Sequence, residues 1–385
     1  MRFIWRYGLL PVMFLLSFAM SSDAFRFAFG IDLSFLIVLF FVGFYLMAYR
    51  KRIRGGLNYS WWLYLLIIPT LSITIFMGGS LSKMLCATFA LLLPLALEPF
   101  VPATDKSTNI SMYFTFGLSL VILVLCANFN FLGNWNPNCI AYLSFLGVAG
   151  AIVNLSCNKK NIFLWLGLGF AFTQLMITQS RTVMSALVLV VLLLIFKHPV
   201  SKKIPYRLMY VFAILYPAIF PTLTLRVYNT TFYNYLKMIT VDVFDKTSVF
   251  SGRNIIYQEV ERLLDSAAVN NFFGYGNHIN QIIPAHNNYY YLRFSYGIVG
   301  TLMIAGLLIF FFEKAYTLIK KGDDITFGCV IVIVGILFQQ ASEGWFLGSP
   351  LVILMAFVYM AIVVKRYRED ERKQRRRHRH HHEHS

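Results

Sequence analysis

Apolar runs long enough to cross a bilayer follow one another along most of the chain, and they constrain its fold more than any other feature. Crossing roughly 30 Å of hydrocarbon takes about 20 consecutive apolar residues. Runs of that kind recur near 5–22, 32–49, 60–79, 82–100, 111–128, 138–156, 161–179, 181–197, 205–224, 294–312, 325–343 and 348–364. They predict an all-α polytopic membrane protein with about twelve transmembrane helices. With 58% hydrophobic and 13% charged residues over 385 positions, a soluble globular domain is excluded. The first run is short and follows Arg2 and Arg6, as a signal peptide would. It has a poor small-residue cleavage signature and leads straight into the next run, so it is read as a retained first helix.

Basic residues orient the spans. Alternating them from a cytoplasmic start puts 25 of the 34 Lys and Arg on the inner side. They are Arg2 and Arg6, the group from Arg50 to Arg54, Lys106, Lys159 and Lys160, and the groups from Lys197 to Arg207, from Lys314 to Lys321 and, in the tail, from Lys365 to Arg379. The outer remainder includes Arg181, Arg253, Arg262 and Arg293. This asymmetry satisfies the positive-inside rule and calls for an even number of spans, with both termini cytoplasmic.

The formal net charge of +17 sits largely in the tail, Arg375-Arg376-Arg377-His378-Arg379, and in the short inner loops. Anionic headgroups of membrane lipids are the natural counter-charge there, and no nucleic-acid partner is expected. The run His380-His381-His382-Glu383-His384 is a terminal low-complexity tract outside the chemistry. Cys86, Cys126, Cys139, Cys157 and Cys329 lie in or near spans without close spacing, which indicates neither a zinc site nor a disulfide framework.

One long stretch breaks the hydrophobic pattern, about 65 residues between Arg226 and Tyr291 on the outer side. Within it, Ile256, Val260, Leu263, Leu264 and Ala267 recur at helical spacing, which predicts an amphipathic helix over 253–267, on the membrane or packed under the loop. Ser251 is placed to cap it. Arg253 in the first turn opposes the helix dipole, and the arrangement becomes favourable when an anion binds there. Arg181 opens a span within Thr178-Gln179-Ser180-Arg181-Thr182 and reaches the same surface. It could be an arginine snorkelling to the interface, but Gln174 and its hydrogen-bonding neighbours look more like a polar pocket lining. His286 follows Pro284 and precedes Asn287 and Asn288, which can orient an imidazole titrating near neutrality.

Two arginines and a histidine on one membrane face suit a particular chemistry. The arginines would hold a diphosphate, and the histidine would take a proton from an attacking hydroxyl. The loop carboxylates Asp242, Asp245, Glu259, Glu261 and Asp265 form no closely spaced pair suited to Mg²⁺ or Mn²⁺, and Glu259 and Glu261 face different sides of a helix. Metal-independent sugar transfer from a lipid diphosphate is therefore expected, with no cofactor.

Gln179-Ser180-Arg181-Thr182, Ser251-Gly252-Arg253 with Tyr257, Gly274-Tyr275-Gly276, Ala285-His286-Asn287 and Tyr296-Gly297-Ile298-Val299-Gly300 together resemble the O-antigen ligase/polymerase superfamily. The likeness covers roughly residues 165–310, and the first 150 residues share only hydropathy. It implies a bacterial inner-membrane glycosyltransferase with a GT-C-like helical fold and a periplasmic active site. Its donor would be an undecaprenyl-diphosphate-linked oligosaccharide, transferred with inversion to a glycan acceptor; a chain-length regulator is a further implied partner. Under that resemblance His286, Arg253 and Arg181 are the catalytic residues. Arg181, Arg253, Gln179, Tyr257, Asn287 and Tyr289 bind substrate, with Tyr289, Tyr290 or Tyr291 stacking on sugars. The chain divides into helices one to nine over 1–224, the periplasmic catalytic loop over 225–293, helices ten to twelve over 294–364 and a basic cytoplasmic tail over 365–385.

Pro284 stands where ligases of this kind often carry a second histidine, which favours a polymerase over a ligase that would deliver the glycan to lipid A-core. A lipid-linked oligosaccharide flippase is the third reading. Against it, the two halves of the chain are unequal and charges within spans are scarce.

Overall fold

A computed structural model describes residues 9–21, 40–43, 90–102, 104–129, 137–178, 180–228, 230–244, 249, 253–266, 268–275, 287–342 and 354–383. Helix is the only regular structure among them. The principal helices, in chain order, are α1 (Leu9–Ser21), α2 (Asp105–Phe129), α3 (Pro137–Cys157), α4 (Ile162–Ile177), α5 (Arg181–Ile195) and α6 (Lys203–Tyr228). They continue with α7 (Thr231–Phe244), α8 (Arg253–Ser266), α9 (Ala268–Phe273), α10 (Asn288–Ile319), α11 (Asp324–Gln339) and α12 (Leu354–Glu383).

Among the described residues four helical segments are long and apolar enough to cross a membrane, namely Asp105–Phe129, Ile140–Cys157, Lys203–Tyr228 and Asn288–Ile319. Shorter apolar helices at Ile162–Ile177, Arg181–Ile195 and Asp324–Gln339 accompany them. The expected span over 60–79, all of 32–49 except 40–43, and 82–89 of the span over 82–100 lie outside the described residues. Helices suit such a setting because their backbone groups are satisfied within the segment.

α11 is the central helix. Nearly every side chain on it is buried, the pattern of a helix apolar all round. It packs against α3, α5, α6, α10 and α12. By contrast α6 leaves Leu208, Phe212, Leu215, Ile219 and Leu223 exposed, a lengthwise apolar stripe of the kind lipid would cover.

Charge ties one end of the bundle together. Arg366 on α12 bridges Asp323 and Asp105, each at 2.6 Å, while Asp323 also caps α11 through the Thr326 N–H at 3.1 Å. Arg368 pairs with Glu98, Lys321 with Asp370 at 2.6 Å and Lys197 with Asp324 at 2.5 Å. Lys197, Lys321, Arg366 and Arg368, which the sequence assigned to one side, thus meet their acidic partners at one end. α12 runs as a single helix from Leu354 across position 365 to Glu383.

The long loop is largely helical. α8 spans Arg253–Ser266, close to the expected 253–267, and Ser251 lies outside the described residues. Its buried face is Asn254, Tyr257, Val260 and Leu264, whereas Ile256 and Leu263 are only partly covered. The face is rotated from the aliphatic stripe because Tyr257, which apolar periodicity does not count, is the innermost side chain. Tyr257, Val260 and Leu264 form a second small core with Tyr290 and Phe294 of α10, flanked by Phe220 and Leu225 of α6. α8 is therefore packed on the helix bundle.

Two glycines seat the end of the loop. Gly274 has φ +86 and Gly297, a kink inside α10, has φ +67, values costly for any residue with a Cβ. A Cβ on Gly297 would lie 2.1 Å from the Phe272 carbonyl oxygen, and one on Gly274 would lie 2.5 Å from that of Ser295. Backbone thus meets backbone. The Tyr275 N–H donates to the Phe294 carbonyl at 2.7 Å, its ring stacks on Phe294, and its hydroxyl donates to the Leu263 carbonyl at 2.7 Å. The Gly274-Tyr275 and Tyr296-Gly297 segments, apart in sequence, are two halves of one docking contact.

Candidate functional site

At the end of the bundle opposite the charge clamp, three separate segments converge on the last turn of α11. The first is the start of α5, where the Thr182 hydroxyl accepts from the Ser342 hydroxyl at 2.7 Å. The second is α8, whose Tyr257 hydroxyl is directed at the Ala341 carbonyl at 3.5 Å. The third is the start of α10, where the Asn288 N–H donates to the Gln340 carbonyl at 2.8 Å. Each contact lies within about one helical turn of an expected site residue: Thr182 beside Arg181, Tyr257 one turn after Arg253 and Asn288 two positions after His286. A helix end carries orphan carbonyls, and here they collect the donors of the loop.

Asn287 completes the junction. Its side-chain amide donates to the Pro217 carbonyl at 2.8 Å and to the Ala341 carbonyl at 2.7 Å. Its oxygen accepts from the Tyr290 N–H at 3.0 Å as the N-cap of α10. Pro217 has a carbonyl to offer because Pro221, four residues on, has no N–H to bond it within α6. Asn287 is fully buried, and both amide hydrogens are engaged. In this structure it fastens the loop exit to α6 and α11.

Arg181 and Arg253 come together. Each is half buried and opens a helix, α5 and α8 respectively. The Arg253 guanidinium is close enough to act on Arg181 as a like charge. Two helix N-termini, each with its partial positive charge, therefore present guanidiniums to one region, an arrangement matched to an anion.

The remaining expected residues separate. Tyr257 is fully buried, with its ring against Tyr290 at 5.2 Å, so in this structure it supports the site from below. Tyr290 is buried too and donates to Glu261 at 2.6 Å. Tyr289 and Tyr291 stay partly accessible, which leaves them as the tyrosines able to meet a ligand. Glu259 faces away and pairs with Arg262 at 2.6 Å, a hydrogen bond that holds its carboxyl below the usual range. The two glutamates do point in different directions. Gln174, counted among the polar neighbours of Arg181, instead bonds Asn128 at 2.7 Å.

Gln179, Ser251, Gly252, Gly276, Pro284, Ala285 and His286 lie outside the described residues. Among the described residues no three His, Cys, Asp or Glu side chains meet as they would around a metal ion.

Sequence reading missed the segment Gln339-Gln340-Ala341-Ser342. All four residues are buried, although their composition reads as a polar exit from a span. A signal was present in the paired prolines of α6, which leave carbonyls at 213 and 217 without helical donors and so require partners from elsewhere. No protein-family model matches the chain, and no curated protein matches it.

Proposed function

We propose that this protein is a glycosyltransferase that polymerises surface polysaccharide, such as O-antigen, from undecaprenyl-diphosphate-linked repeat units at the periplasmic face of a bacterial inner membrane. The observation that carries this reading is the meeting of Arg181 and Arg253 at two helix N-termini. A diphosphate offers the oxygens and negative charge that two planar guanidiniums bind best. The resemblance to the O-antigen ligase/polymerase superfamily supports the same assignment.

In the proposed reaction the acceptor hydroxyl attacks the anomeric carbon of the donor sugar as His286 takes its proton. A new carbon–oxygen bond forms to the acceptor. The bond to the diphosphate breaks, with its electron pair passing to the diphosphate oxygen. Arg181 and Arg253 stabilise the charge that develops there, and a single displacement inverts the anomeric centre. Gln179 and Tyr289 would contact donor or acceptor, while Tyr257 and Asn287 hold the arginines and His286 in register. The arginines supply the electrostatic role a divalent cation would play, so EDTA leaves the rate unchanged under this mechanism.

Pro284 favours polymerase over ligase. The banding of lipopolysaccharide in a deletion strain tests the choice: a polymerase mutant retains single repeat units on lipid A-core, whereas a ligase mutant carries none. Normal banding would argue against both and favour a different glycan or a transport role.

A further inference from the structure

One turn inward from Ser342, Gln339 has a completely buried side chain, and among the described residues neither its Nε2 nor its Oε1 has a hydrogen-bond partner. A carboxamide removed from water and bonded to nothing is destabilising, and buried polar groups in native proteins are nearly always paired. A group left in this state calls for a partner beyond the described residues, and a bound ligand can supply one.

Helical geometry says where the side chain sits. At about 100° per residue, Gly335, Gln339 and Ser342 share one narrow stripe of α11. Both ends of the stripe face α5. A Cβ on Gly335 would lie 2.4 Å from Val190 Cγ2, and Ser342 bonds Thr182 at 2.7 Å. Gln339 therefore lies on the side of α11 that α5 and α3 share, one turn inward of Ser342 and its contact with Thr182, the neighbour of Arg181.

We infer that Gln339 is a ligand-binding residue, the inward floor of the anion site formed by Arg181 and Arg253, where its Nε2 donates to an oxygen of a bound diphosphate. This rests on the anion-binding reading of the two arginines. The chemistry suits a neutral amide: it adds a donor without further positive charge, and its Oε1 remains able to accept from water or a hydroxyl accompanying the anion. The same oxygens could belong to a prenyl diphosphate in the membrane or to free diphosphate.

The test uses full-length protein in detergent, with farnesyl diphosphate and inorganic diphosphate as probes, and reads thermal midpoint and affinity. Gln339→Met keeps the volume and removes the hydrogen-bonding atoms, so without ligand it should melt no lower than wild type. It should bind both diphosphates roughly tenfold more weakly. Gln339→Glu, which adds a negative charge beside the anion, should bind them more weakly still. If wild type binds, Arg253→Ala loses binding and Gln339→Met binds as wild type does, the Gln339 contact is overturned while the arginine site stands. If the variant weakens only farnesyl diphosphate, Gln339 meets the prenyl portion and the phosphate contact is overturned. If wild type binds neither probe, the arginine reading itself fails and this inference falls with it.

Discussion

Asn287 donates a hydrogen bond to the carbonyl of Ala341 at 2.7 Å, and through it the exit of the long loop is tied to the end of the central helix. The second hydrogen of the same amide reaches Pro217, whose carbonyl is left over by Pro221. One buried side chain thus links α6, α10 and α11 at the level where the arginine-bearing helices begin.

Asn287→Ala removes two donors and an N-cap acceptor from a buried junction, leaving the Pro217 carbonyl and the Tyr290 N–H unbonded and the Ala341 carbonyl with only the longer Tyr257 contact. A loss on the order of 3 kcal/mol is expected, read as a lower thermal midpoint in detergent. Asn287→Asp keeps the cap but turns a carboxylate toward two carbonyls, and it should be at least as damaging. Wild-type stability in the Asp variant would show that the amide hydrogens are not the essential feature.

The paired glycines predict a local effect. Gly297→Ala places a methyl against the Phe272 carbonyl at a positive φ, with a backbone cost of about 1–2 kcal/mol before the clash. Undocking of 272–275 should follow, visible as faster proteolytic cleavage near Tyr275 while the rest of the helix bundle stays protected. Gly274→Ala should do the same. The double variant should be little worse than either single one, because both break one contact.

Much of this architecture is legible in the sequence, and what is not has identifiable causes. Hydropathy located the apolar helices from 111 onward, four of which are long enough to cross a membrane, since burial in lipid and burial in protein both demand apolar runs. Periodicity found α8 because its length and spacing are local properties. The rotation of its buried face escaped because Tyr257 packs its ring and keeps its hydroxyl bonded, a dual character that an apolar pattern ignores. The junction at 339–342 escaped for a different reason. Its residues become meaningful only when α5, α8 and α10 are brought to them from more than 50 positions away, and no local signal encodes that approach. The pairing of Gly274 with Gly297 is likewise a tertiary fact, although each glycine stood out on its own.

The charge clamp should separate stability from activity. Arg366→Ala leaves Asp323 with only its Thr326 contacts and Asp105 to solvent, and should cost roughly 1–2 kcal/mol. Arg366→Lys should recover only part of this, because an ammonium cannot reproduce the planar fork that serves two carboxylates. The clamp lies at the other end of the bundle from Arg181, so transfer rate per folded molecule should match wild type. A matching fall in rate would mean that the two ends are coupled.

The central claim is that Arg181 and Arg253 form one anion site serving glycan transfer. Its most direct test is the rate of polymer formation by purified protein given undecaprenyl-diphosphate-linked repeat units, with wild type compared to Arg253→Ala at equal amounts of folded protein. A drop of about a hundredfold or more is predicted, as for loss of a charge-stabilising group at a reacting centre. Polymer formation at the wild-type rate by the Arg253→Ala protein would contradict the account.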